Sequence, residues 1–262
     1  MSATLTYVYC LVRSTRPPSV RDVPAPVSGG RAVRLLEVPP APRADGRFRQ
    51  WLVVSSVPAR EYDEAALGRN LKSEDWVIPR ALAHEAVVEH FLPLPAVLPM
   101  QLFTLFTGDE RAVEHMVRDR RRIARILRRI EGRLEWGLRI TVSRPVRGPE
   151  PRTPRHRGLT PGAAYLARKR ELREAGRTAL ARARGDAGRV YTSVARAAAA
   201  ARRRTEVERA APDSRVVLDA AFLVPVAHRR AFQALVRRHT RPLRQAGMTV
   251  SLTGPWPAYN FI

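Results

Sequence analysis

Cysteine is almost absent: Cys10 is the only one in 262 residues. One thiol closes no internal disulfide, so a disulfide scaffold is excluded and a reducing cytoplasm is the expected setting. Lysine is nearly missing as well, Lys72 and Lys169 standing alone among the basic residues. No apolar run approaches the ~20 residues that cross a bilayer. Met1 to Arg13 carries no basic leader ahead of Leu5, Val8, Leu11 and Val12, and no small-residue cleavage site follows, which predicts no signal peptide. A Gly-x-x-x-x-Gly-Lys-Ser/Thr loop and a glycine-rich dinucleotide turn are both missing, so the common phosphate cradles are not in the sequence. No repeat of solenoid type occurs.

The residues that are present describe a globular chain. The hydrophobic fraction is 45%, and the length holds one large domain or two ordinary ones. The formal charge is +23 and the sequence pI about 11.6. Arginine and alanine enrichment together often reflects a GC-rich genome, so arginine in place of lysine says little about function. The surplus of cations implies an acidic partner, nucleic acid or an anionic protein surface. A solvated basic face satisfies the same charge count.

Taken in order, Leu5, Tyr7, Tyr9 and Leu11 alternate with Thr4, Thr6, Val8 and Cys10 as a first strand. A loop over 15–30 leads to strands at 32–38 and 51–57. Helical sequence begins at 62–67, with Asp63 as N-cap. Pro79 starts or kinks a second helix whose stripe is Leu82, Ala83, Ala86, Val87 and Phe91. Residues 96–98 and 102–106 are read as extended. From Asp109 runs the clearest helix, lined by Val113, Met116, Val117, Ile123, Leu127 and Ile130 and stopped at Gly132. Residues 134–142 form a strand. Prolines at 145, 149, 151, 154 and 161 make 143–161 a loop or linker. Helices at 162–184 and 189–210 are separated by a break at Gly185–Gly188. A buried strand over 216–224, interrupted by Asp219, then leads to a helix (Ala231, Phe232, Leu235, Val236) and a strand (Met248, Val250, Leu252). The aromatic ending is expected to dock on the sheet.

The predicted fold class is α+β in two domains: 1–131, a small sheet with helices, and 132–262, a modified ferredoxin-like arrangement with a long helical insertion and the Pro-rich 143–161 loop.

No constellation for catalysis emerges. His84-Glu85 with His90 is the one place that invites a metal, but a zinc helix needs its histidines four apart, and these are six apart. Cys10 lies inside an apolar strand as an inert thiol. Glu61, Asp63, Glu64, Glu74 and Asp75 are explained by helix ends. No catalytic residue, metal or cofactor is therefore assigned. Arg120–Arg122, Arg128-Arg129 and Arg202–Arg204 would attract nucleic acid, yet no reading element accompanies them. Nucleic acid is thus the alternative partner that charge leaves open.

Several stretches together resemble one family. They are Tyr7-Val8-Tyr9; Tyr62-Asp63-Glu64-Ala65-Ala66-Leu67; Ala83-His84-Glu85-Ala86-Val87-Val88; Val97-Leu98-Pro99; Phe106; Glu135-Trp136-Gly137; Gly162 to Arg170; and Leu252-Thr253-Gly254-Pro255-Trp256-Pro257-Ala258-Tyr259-Asn260-Phe261. In that order and over nearly the whole chain they are similar to the gas vesicle proteins that include the F and L members. Cys10 stands where a glycine is usual, and Gln101-Leu102-Phe103-Thr104 where Arg-Phe-Gly-Thr is usual. The resemblance implies a non-enzymatic protein of gas vesicles, a minor component or assembly factor. It also implies that the partners are the small hydrophobic main shell protein and other accessory proteins, and that the C-terminal part is ferredoxin-like. Arg121, Arg122, Arg128 and Arg129, with Trp256 and Tyr259 of the tail, are the expected protein contacts.

Overall fold

The computed structural model describes residues 3–40, 47–143, 160–204 and 214–262. Most of the predicted Pro-rich loop, and the end of the helix predicted to reach residue 210, lie outside them. Packing divides the chain into two units, one of Met1–Glu135 with Pro255–Ile262 and one of Trp136–Gly254.

The first unit is built on β1 (Thr4–Ser14), β2 (Arg34–Val38), β3 (Arg49–Pro58), β4 (Ala96–Pro99) and β5 (Leu105–Phe106). Strand order is β2-β3-β1-β4, and β5 also pairs with β1. The β1 pairings with β3, β4 and β5 are all antiparallel. Predicted alternation along β1 holds only to its middle. The register with β3 slips between Val8 and Cys10, a bulge that turns the following residues over. Tyr7 and Tyr9 before it therefore share one cluster with Cys10 and Val12 after it. Burial pushes the Cys10 thiol far up, leaving it an unreactive core group.

Helices cover this sheet: α1 (Ala59–Tyr62), α2 (Glu64–Asn70), α3 (Glu74–His90), α4 (Asp109–Arg118) and α5 (Arg120–Ile130). Asp63 caps α2, its side chain accepting from Ala66 N at 2.7 Å, a bond worth about 1 kcal/mol. Helix α3 begins before Pro79 and carries it inside. Its buried line is Arg80, His84, Val87 and Val88, whereas Leu82 is 66% exposed, so the apolar stripe expected there is misplaced. Polar side chains took the inner face because the tyrosine cluster offers them hydrogen bonds. The helix predicted from Asp109 is two, broken at Asp119, but Met116, Ile123, Leu127 and Ile130 stay buried as expected. Residues 102–104 turn rather than extend.

The second unit runs β6 (Arg133–Ser143), α6 (Pro161–Ala195), β7 (Ala200–Arg203), β8 (Ser214–Pro225), α7 (Arg229–Gln245) and β9 (Met248–Trp256). The sheet order β7-β8-β6-β9, with a helix after the first and third strands, is the ferredoxin-like βαββαβ plan. Two expectations are corrected. Helix α6 runs unbroken through Gly185–Gly188, with Ala187 fully buried on its inward face. The alanine–arginine run that read as helix is strand β7, paired antiparallel with β8 from Ala200↔Leu223 to Arg203↔Ala220. Ala187, Val190 and Val194 of α6 and Phe232, Val236 and Leu243 of α7 share a core with β6 and β8. Leu218 to Val224 are all buried, as a continuous apolar run requires.

Candidate functional site

In the first unit the inner face of β1 carries an aromatic network. The Tyr7 hydroxyl accepts from Phe103 N (3.3 Å) and pairs with His84 Nδ1 (2.8 Å). Which of the two oxygen- and nitrogen-bound protons bridges the pair depends on the His84 tautomer, and Nε2 is buried without a hydrogen-bond partner among the described residues. Burial holds this imidazole down to about 4, partly offset by the Met100 backbone, so it is neutral. Tyr9 OH bonds Ser55 Oγ at 3.0 Å and accepts from Val27 N at 3.0 Å. Arg80 Nε donates to Tyr62 OH at 3.0 Å, while its guanidinium lies 4.0 Å from the Trp76 ring centre.

Beside this network opens a cleft of about 700 Å³. Its walls include Leu98, Pro99 and Met100 from the end of β4 and Met116, Ile123 and Ile126 from α4 and α5. His84, Glu85, His115, Asp119, Arg122 and Tyr259 supply polar groups around them.

The C-terminal tail forms one side. Tyr259 OH donates to Glu85 Oε2 at 2.6 Å. Asn260 donates from its backbone N (2.8 Å) and its Nδ2 (2.5 Å) to the two oxygens of Glu135. Phe261 is buried and Arg129 lies over its ring at 5.7 Å. Burial first, and then Glu89, push the Glu85 carboxyl up, while the Tyr259 bond draws it back. Burial and the Glu85 charge push the Tyr259 phenol up, so it remains a donor.

Of the expected contact residues, Arg122 and Tyr259 come together in the cleft. Arg121, Arg128 and Arg129 are exposed along α5 outside its lining, and so is Trp256. Glu85 and Glu135, which hold the tail, had no role from sequence. The readable signal was a lone carboxylate within an apolar strand segment at Glu135. His84 and His90 share no metal arrangement, and among the described residues no group of three His, Cys, Asp or Glu side chains could hold an ion. No described helix is long and apolar enough to cross a membrane.

In the second unit Asp219 is enclosed, its side chain 1% exposed. Arg139 donates to Oδ2 through Nε (2.9 Å) and Nη2 (2.8 Å), and Arg204 to Oδ1 through Nε (2.7 Å) and Nη2 (2.6 Å). Gly137 makes room for this cluster: a Cβ there would lie 2.7 Å from Thr253 Oγ1 and 3.1 Å from Arg204 Nη2.

Comparison with known proteins gives one family. The profile described as "Gas vesicle synthesis protein GvpL/GvpF" matches residues 5–262. Gas vesicle protein L of Streptomyces sp. (strain CB03234) is 32% identical over 213 residues, 80% of this chain and 78% of that one. The crystal structure of GvpF from Anabaena sp. PCC7120 superposes with a TM-score of 0.64 at 15% identity, covering 98% of this chain and 95% of that one. That of GvpF from Microcystis aeruginosa gives 0.61 at 14% identity over 99% of each chain. Those two likenesses establish the shared fold.

Proposed function

The chain belongs to the GvpL/GvpF family of gas vesicle proteins, and on that premise we propose that it acts in vesicle formation without catalysis, by binding the main shell protein and accessory proteins. The observation that carries the binding reading is the first unit's cleft, whose methionine and aliphatic walls suit an apolar segment of a small hydrophobic protein. The tail completes the cleft through Tyr259, which gives the aromatic ending a positioning role.

Arg122 at the cleft, with exposed Arg121, Arg128 and Arg129 on the same helix, provides a basic flank that would orient an acidic partner surface. The test is retention of the main shell protein by the full chain at physiological salt with nuclease present. Retention that survives nuclease and weakens on reversing those four charges supports the reading. No retention, with the chain instead carrying nucleic acid in a steeply salt-dependent way, overturns it.

A further inference from the structure

The long helix α6 has two different halves. Toward its C-terminus Ala183, Ala187, Val190 and Val194 are buried. At 3.6 residues per turn these four define a line along the helix; Tyr165, Leu172 and Gly176 fall within about 30° of it, and Ala179 and Leu180 about 50° to either side. The inward face of the packed half therefore continues through the other half. There it is uncovered: Tyr165 is 64% exposed and Leu172 59%. A Cβ added to Gly176 would meet nothing within 4 Å.

Charge along this exposed half is uneven. Lys169 falls on the apolar line and Arg168 and Arg173 border it on either side, while Arg177 and Arg182 lie on the flanks and Arg170 toward the back. The two glutamates, Glu171 and Glu174, fall on the back of the helix. Lys169 sits 5.8 Å from the Tyr165 ring centre, leaving its stem along the stripe.

We propose that the exposed half of α6 is a docking helix for an acidic amphipathic helix of another protein. Gly176 and Ala179 leave a shallow place where a second helix approaches closely, Tyr165 and Leu172 are the anchors, and the bordering cations face its carboxylates. A second copy is the wrong occupant, because two such helices face to face would bring like charges together. Nucleic acid is disfavoured because the centre of the face is apolar and the cations lie beside it. A bilayer is disfavoured because Tyr165, Leu172 and the half-buried Leu180 are the large apolar side chains of the stripe over some 22 residues, too little area to enter lipid. None of these residues lines the cleft, and the proposal stands or falls apart from the cleft's occupant.

The experiment uses the full chain and a labelled, designed acidic helical peptide with a leucine–alanine stripe between glutamates. At about 22 residues it matches the roughly 33 Å of exposed helix. Fluorescence anisotropy at about 0.15 M salt is expected to show saturable binding. Tyr165→Ser with Leu172→Ser, Gly176→Leu alone, and Lys169→Glu with Arg173→Glu should each weaken it about tenfold or more. Circular dichroism should show helicity kept, since every altered position is exposed. Absence of saturable binding, or binding that none of the three variants weakens, overturns the proposal. So does displacement of the peptide by duplex DNA or by phosphatidylserine vesicles at equal or lower concentration. Self-association that the same substitutions abolish would assign the face to a second copy instead, and also overturns it.

Discussion

Asn260 grips Glu135 with two hydrogen bonds, one from its backbone N–H and one from its side-chain amide, each to a different carboxylate oxygen. Glu135 is buried, so donors such as these offset the cost of taking its carboxylate out of water. Glu135→Ala should cost the first unit roughly 2–3 kcal/mol and free the tail to carboxypeptidase. Glu135→Gln should cost less but also loosen the tail, because its amide turns a donor toward Asn260. A tail as resistant to digestion in both variants as in the native chain would contradict this role.

His84 supplies a pH dependence of defined sign. Unfolded, its imidazole protonates near 6.5; folded, it stays neutral down to about 4. The unfolded chain thus binds more protons across that interval. Stability contributed by His84 is complete above 6.5 and is lost as pH falls toward 4, by at most roughly 3 kcal/mol. Glu85, whose carboxyl is raised, acts oppositely: it favours the fold less as pH climbs above the ordinary carboxyl range. His84→Gln, which keeps a hydrogen-bonding group for Tyr7, should flatten the slope of denaturation free energy between pH 6.5 and 4. An unchanged slope would show that other groups set it.

Phe103 stands in the left-handed region at φ +64°, costly for a bulky residue, while its ring packs on Trp76 at 5.3 Å. Both Phe103→Ala and Phe103→Gly lose the ring contacts, but only glycine relieves the backbone. The glycine variant should therefore be more stable than the alanine variant by about 1 kcal/mol, against the usual order. Equal or reversed stabilities in urea titrations would show that the strain is absent.

Asp219 balances two arginines in the second unit. Asp219→Asn keeps the volume and removes the charge, leaving Arg139 and Arg204 facing an amide. The expected loss is roughly 2–3 kcal/mol, below the full cost of breaking a buried pair because both arginines keep about a third of their side chains in water. A change within experimental error by chemical denaturation would mean that solvent fully replaces the carboxylate.

Much of this was legible where one physical signal dominated. The apolar run at 218–224 announced a buried strand, Asp63 a helix start, and Gly132 a helix end, where it takes φ +64°. Legibility failed where tertiary pairing outweighed local preference. Ala200 to Arg203 reads as helix by propensity, yet β8 offers it an open edge with backbone partners. The inner face of α3 was hidden because Arg80 and His84 are polar and became buried only by meeting Tyr62 and Tyr7. The cleft itself was only half readable. Arg122 and Tyr259 stood out as a charged cluster and an aromatic tail, while Glu85 and Glu135 acquire meaning only when the chain end returns to them.

The most direct test of the cleft's role is the affinity of the full chain for the main shell protein after Ile126→Asp, compared with Leu82→Asp. Ile126 lines the cleft, whereas Leu82 is exposed on α3 outside it. A buried carboxylate at an apolar contact should weaken binding by about tenfold or more, while the same change at Leu82 leaves it within about twofold. Equal affinities for both variants and the native chain would contradict the account.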